Sequence, residues 1–223
     1  EQGVHHLDFK LSRGGEHIAL FNYDAESVID SINYDKQYRN ASVSAHPQTS
    51  NNWMHVPSTP LSQNTVPTIN SIIINELSAD NENIIADENN EFDDWIELRN
   101  ISNNPINVAG LFFSDSLGYE YYRIPSTSAD STTIEANSYL ILWADKQEEQ
   151  GVLHQDFKLS SEGEELVLLS YDKTTIIDSI TFPDHYNNSS YGRLETNLNH
   201  WNFIPATPNA PNDLPEYDNL FIN

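Results

Sequence analysis

Cysteine is absent from this 223-residue chain, which excludes disulfide staples, zinc–thiolate sites and thiol nucleophiles. Basic residues are scarce: ten Lys and Arg stand against 34 Asp and Glu, a formal net charge of −24. A surface of that sign repels phosphate backbones and anionic lipid head groups, so nucleic acid is not an expected partner. No apolar run approaches the ~20 residues of a membrane-spanning helix, and no membrane insertion is expected. Glycine is also sparse, with eight in all. There is no glycine-rich phosphate loop, no Gly-x-Ser-x-Gly elbow and no His-Glu-x-x-His pattern, hence no motif for phosphate, acyl or zinc chemistry, and no catalytic residue or enzyme activity is expected. The chain begins with Glu1 rather than Met, and so reads as part of something longer, with any export signal outside it.

What is present is a core's worth of apolar side chains. They make up 38% of the residues and include nine Phe, eleven Tyr and four Trp, enough to exclude disorder throughout. The chain also repeats itself. Residues 1–12, EQGVHHLDFKLS, return as residues 149–160, EQGVLHQDFKLS. The offset of 148 holds without a gap to the end of the chain, and 31 of the 75 pairs between 1–75 and 149–223 are identical. A gap-free match of that length reads as duplication.

The register sets the domain boundaries. Residues 1–60 are the C-terminal half of one repeat, and 61–70 are a polar linker with a proline. Residues 71–208 form one complete unit, and 209–223 are a second linker followed by the first strand of a further repeat. The complete unit reads as short strands between turn residues: 71–77, 95–98, 106–113 with a glycine suggesting a bulge, 119–124, 139–143, 165–171 and 175–182. The last two form a hairpin. No window carries a helical stripe. Seven or more such strands predict an all-β, immunoglobulin-like β-sandwich.

Several motifs, in order, carry a family resemblance. Asn75-Glu76-Leu77-Ser78-Ala79 and Phe92-Asp-Asp-Trp-Ile-Glu-Leu-Arg-Asn100 open it. Val108-Ala-Gly-Leu-Phe-Phe-Ser-Asp115 and His154-Gln-Asp-Phe-Lys-Leu-Ser160 follow. Ser190-Tyr-Gly-Arg193 and Pro205-Ala-Thr-Pro208 with Pro211-Asn212 close it. The sequence resembles the lamin-tail domain, the immunoglobulin-like domain of the intermediate-filament tail. The likeness runs over about residues 71–212 in full and over 1–64 as a C-terminal half, where Val43-Ser44-Ala45 departs from the Tyr-Gly-Arg pattern. The resemblance implies the sandwich fold. With the tandem arrangement and the acidic surface it also implies a bacterial, extracellular or cell-surface module. The expected function is a non-catalytic spacer or adhesive repeat; the alternatives are an accessory domain of a secreted enzyme or a calcium-dependent adhesin.

Three features are candidates for sites. Asp87, Asn89, Glu91 and Asp93 alternate, so an extended segment aims all four to one side, where calcium could take oxygen ligands. The plainer reading is an acidic hairpin connection, because Asn and Asp favour turns. His154 and His6 occupy matching positions and read as packing or hydrogen-bonding residues. Asp30 and Asp178 fall inside matching strands and are expected on an exposed face. Finally, the half-repeat would expose Ile18, Leu20, Ile29 and Ile32, while Leu220, Phe221 and Ile222 form a spare first strand. One chain's terminal strand could therefore complete the next chain's half-domain. Expected partners are other copies of the same repeat, and a cell-surface protein or glycan.

Overall fold

A computed structural model describes residues 6–46, 49–116 and 120–214. The terminal donor residues Leu220, Phe221 and Ile222, and Tyr119 of a predicted strand, lie outside them. The chain divides into two units, residues 1–66 and 67–223.

Among its described residues, unit one carries two antiparallel hairpins. The first joins β1 (Glu16–Phe21) to β2 (Val28–Tyr34); the second joins β3 (Ser42–His46) to β4 (Thr49–Val56).

Unit two carries β5 (Ile72–Ser78), β6 (Trp95–Asn100), β7 (Ile106–Asn107), β8 (Phe112–Ser114) and β9 (Tyr122–Arg123). A single helical turn, α1 (Ala129–Thr132), leads into β10 (Thr133–Ile134) and β11 (Tyr139–Ala144). Then come β12 (His154–Gln155), β13 (Glu164–Leu169), β14 (Ile176–Phe182), β15 (Ser190–Leu194) and β16 (Asn197–Ile204). A six-stranded sheet in the order β12-β11-β6-β5-β15-β16 faces a four-stranded sheet in the order β14-β13-β8-β9. All pairings are antiparallel except β11 with β12. This is the expected immunoglobulin-like β-sandwich.

The apolar, β-branched Ile run places β5 at the interior of the larger sheet, because such side chains pack well on a pleated surface. Trp95, Phe112, Phe113, Phe157 and Phe182 are fully buried. Each contributes roughly 1.5–3 kcal/mol by leaving water. The segment 106–113 differs from its predicted single strand. Gly110 adopts φ +91, and a Cβ there would meet Arg123 at 2.9 Å and Tyr171 at 3.0 Å. The chain turns at this point, so β7 pairs with β10 while β8 joins the four-stranded sheet.

The two hairpins of unit one repeat those of unit two in backbone detail. Glu16↔Tyr34 and Glu164↔Phe182 open the same ladder, and both ladders shift register at one place, Leu20/Phe21 and Leu168/Leu169. Ser42↔Val56 and Ser190↔Ile204 match likewise. Positive φ recurs at Ala25 and Lys173, Asn40 and Asn188, and Leu61 and Asn209. Asp24 and Asp172 each accept two backbone N–H bonds and one hydroxyl bond within the tight turn. Sequences related at an offset of 148 thus build the same local structure.

Candidate functional site

The acidic loop between β5 and β6 brings three of its four candidate ligands together. Ligand atoms of Asp87, Glu91 and Asp93 all lie within 4.8 Å of one another. The Asp87 carboxylate also accepts the backbone N–H groups of Asn89 and Glu91, each at 2.8 Å. Burial works against that charge, but these bonds hold the Asp87 pKa below its ordinary value. Burial, and then the neighbouring charge of Asp145, raise that of Asp93. Asn89 directs its amide nitrogen to Asp87 and to Gln150. The loop is therefore both a hydrogen-bonded turn and a cluster of oxygens.

Beside it lies His154, fully buried, with Nδ1 on the Asp145 carboxylate and Nε2 at 3.3 Å from Glu88. Burial pulls the imidazole pKa down, but the bond and charge of Asp145, joined by Glu88, more than offset this and raise it. Both ring nitrogens are engaged by side chains, in keeping with a hydrogen-bonding role. Its counterpart His6 is exposed.

The remaining polar interior was not read from sequence, and it joins the two halves of the domain. At the centre of the larger sheet, β5 carries a bulge at Asn75, between Ile74↔Leu98 and Glu76↔Glu97. The bulge sets Asn75, Glu76 and Glu97 against the segment after β16. Glu76, fully buried, accepts bonds from the Ser190 and Thr207 hydroxyls and from the Thr207 N–H. Glu97, also fully buried, accepts from the Asn75 amide at 2.8 Å and from the Asn209 N–H. Burial raises both carboxyl pKa values, Glu97 to about 7. Asn212, placed in a linker by the sequence reading, is 1% exposed. Its side-chain amide bonds the Asn75 carbonyl at 3.0 Å, and its Oδ1 accepts the Thr207 hydroxyl at 2.7 Å.

A second tie crosses between the sheets. Arg193 of β15 donates from Nη2 to both carboxylate oxygens of Asp178 of β14, each at 2.7 Å. Together they grip both backbone groups of one β5 residue: Ile74 N–H donates to Asp178 at 2.8 Å, and Arg193 Nε donates to the Ile74 carbonyl at 2.7 Å. Asp178 was expected on an exposed face; instead its side chain is only 15% exposed. Alternation along the strand could not reveal a partner fifteen residues away. The sequence signal was the isolated charge within apolar runs, in Ile-Ile-Asp, Asn-Glu-Leu and Trp-Ile-Glu-Leu.

Unit one retains parts of this apparatus without the strands it grips. Thr59 and Asn64 keep their mutual bond at 3.1 Å, but the Asn64 amide turns to the Ala45 carbonyl. Asp30 is exposed, and Ala45 stands where Arg193 would be. The apolar positions diverge just as sharply. Phe9 is 56% exposed against 1% for Phe157, Leu20 60% against 0% for Leu168, and Tyr23 99% against 3% for Tyr171. Ile29 is exposed, and Ile18 and Ile32 are half-buried.

Glu76, Glu97, His154 and the Asp178–Arg193 pair of unit two each hold strands or loops in place, as a structural or interaction domain requires. Among curated proteins, a search found no match to the chain. The family model described as Lamin Tail Domain matches residues 65–184, more than half of the sequence. That span includes β5 and β6 with their buried carboxylates, the β8 turn and the β13–β14 hairpin, and it places this chain in the lamin tail domain family.

Proposed function

We propose that the protein is a non-catalytic structural module, a repeat and part of another from an array within a large secreted or cell-surface bacterial protein. The recurrence of ladder register and turn conformation at an offset of 148 residues carries this reading. A domain tied across both sheets presents its loops at fixed positions, and stacked copies extend the chain. Its partners are other copies of the same repeat, with a surface protein or glycan at the loops.

Assembly is the finer part of the reading. Leu220, Phe221 and Ile222 match Ile72, Ile73 and Ile74 of β5. Since β5 pairs with β15, a terminal strand would add beside β3 of the next molecule, and a head-to-tail contact of that kind propagates. Light scattering over a range of concentrations, on the full chain and on a version ending at Asn212, tests this. Growth of the full chain alone supports assembly through the terminal strand. Equal monomer masses leave a spacer and remove the assembly.

A calcium-dependent adhesin is the second reading, favoured by the convergence of Asp87, Glu91 and Asp93. Binding to the folded state must raise its stability. Thermal melts in millimolar calcium and in chelator should then separate by several degrees, and coincident melts remove the reading.

A further inference from the structure

Unit one displays an apolar face whose occupant can be identified, because unit two contains the same face with its cover in place. Three contacts define that cover. Strand β8 pairs with β13 through Val167↔Ser114, Leu168↔Phe113 and Leu169↔Phe112; the matching positions in unit one are Ala19, Leu20 and Phe21. Among the described residues β1 pairs only with β2, so its other edge offers unpaired backbone groups at these positions. Phe157 packs against Phe113 and stacks on Tyr122 with ring centroids 4.7 Å apart; its match is Phe9. Tyr171 lies against Gly110; its match is Tyr23. Every covering residue belongs to the stretch 110–122. A strand equivalent to β5 alone, which is all that residues 219–223 could supply, carries none of these three contacts.

The polar groups specify the same occupant. In unit two the acceptors for Thr207 and Asn212 are Glu76 and the Asn75 carbonyl, and the donor to Asp178 is the Ile74 N–H. Unit one presents Thr59, Asn64 and Asp30 at the matching positions. A complementary surface must therefore carry an Asn-Glu pair on a bulged strand and, further along, a Gly-x-Phe-Phe turn and strand. Residues 67–148 of the same molecule have this character, but their strands are already buried within unit two.

We propose that the exposed face of unit one is a docking surface for the first half of a lamin tail domain, a separate chain segment carrying strands equivalent to β5 through β11. This rests on the repeat reading above and names the partner of the half-repeat. Docking pairs the free edge of β1, covers Phe9, Leu20, Phe21 and Tyr23, and completes a second sandwich.

The test uses the full chain and a version extended at its N-terminus by a copy of its own residues 67–148, so that residue 1 follows a copy of residue 148 just as residue 149 does. Amide hydrogen exchange over Ala19–Phe21 should slow on the order of a hundredfold in the extended chain, with a fall in the emission of a dye that binds exposed apolar surface. Unchanged exchange overturns the proposal. The substitution Leu20→Asp in the extended chain should abolish the slowing; slowing that survives it overturns the proposal as well. A third arm does not depend on the extension folding. In the unextended chain Leu20→Asp should leave the melting temperature unchanged, because Leu20 is 60% exposed, whereas a drop of several degrees shows the face already occupied and overturns the proposal. Head-to-tail growth in light scattering together with unchanged exchange in the extended chain would remove this docking while leaving the repeat reading intact.

Discussion

At the scale of single residues, the interior of unit two is governed by carboxylates that an immunoglobulin-like core does not require. Glu97 has no exposed surface, and burial, only partly offset by its bonds from Asn209 and Asn75, lifts its pKa from 4.5 to about 7. The folded state therefore holds a proton that the unfolded chain releases. The resulting stability is complete below about pH 4.5 and is lost as pH rises through about 7. The variant Glu97→Gln lacks this dependence. Between about pH 8 and about pH 4 the unmodified protein should gain on the variant by about 3 kcal/mol, since each pKa unit is worth about 1.4 kcal/mol. Urea denaturation of both proteins across that range measures the difference; curves that stay parallel would show that Glu97 does not take up a proton on folding. Glu76 acts in the same direction, and because it faces Glu97 across the β5–β6 ladder the two titrate as a pair.

At the scale of elements, β5 is held by two devices. The backbone ladder pairs it with β6 and, at its own Glu76–Leu77 end, with β15; at Ile74, on the β15 side, the Asp178–Arg193 ion pair stands in for the ladder. Arg193 is 9% and Asp178 15% exposed at the side chain, so removing one partner leaves a charge with little access to water. Arg193→Ala should cost about 3 kcal/mol, as breaking buried pairs does, whereas Asp30→Ala in the exposed counterpart should cost less than about 0.5 kcal/mol. Denaturation midpoints of the two variants check the contrast; a loss below about 1 kcal/mol for Arg193→Ala would place the pair with ordinary surface salt bridges. The same elements show what was legible in the sequence. The runs at β5, β6, β11, β13 and β14 were readable because β-branched and aromatic residues cluster there between turn residues. The split at Gly110 was not, since residues 106–113 read as one run and only the left-handed glycine within it sends Ile106–Asn107 and Phe112–Ser114 to different sheets. Asp87, Glu91 and Asp93 converge because the loop turns at Asn90, in the left-handed region at φ 64, and not because an extended segment aims alternate residues to one side. The ties made by Asp178, Arg193, Glu76, Glu97 and Asn212 span up to 137 residues, and no local pattern encodes them.

For the whole molecule, the recurrence of one ladder at an offset of 148 residues provides an internal control. Segments β1–β2 and β13–β14 share register, bulge and turn, so their local propensities are closely matched. They differ in what surrounds them: Leu168 and Tyr171 are buried, while Leu20 and Tyr23 are exposed. If stability came from strand and turn propensity, the two hairpins would be equally protected. If it comes from tertiary burial, they diverge, because a lone two-stranded hairpin is marginal in water. Native-state hydrogen exchange of the full chain decides between these cases. Amides at Val167–Leu169 should exchange roughly a thousandfold more slowly than those at Ala19–Phe21, since sandwich strands open only with global unfolding while hairpins open locally. The turns should differ far less, because Asp24 and Asp172 make the same three bonds in each. Equal protection across the paired strands would mean that the second half of the fold is stable without the first, and that its apolar face needs no cover. A large ratio confined to the strands would mean that the first half of the domain supplies most of the stability of the second, so that any exposed second half retains a free-energy gain available to whatever segment can cover it.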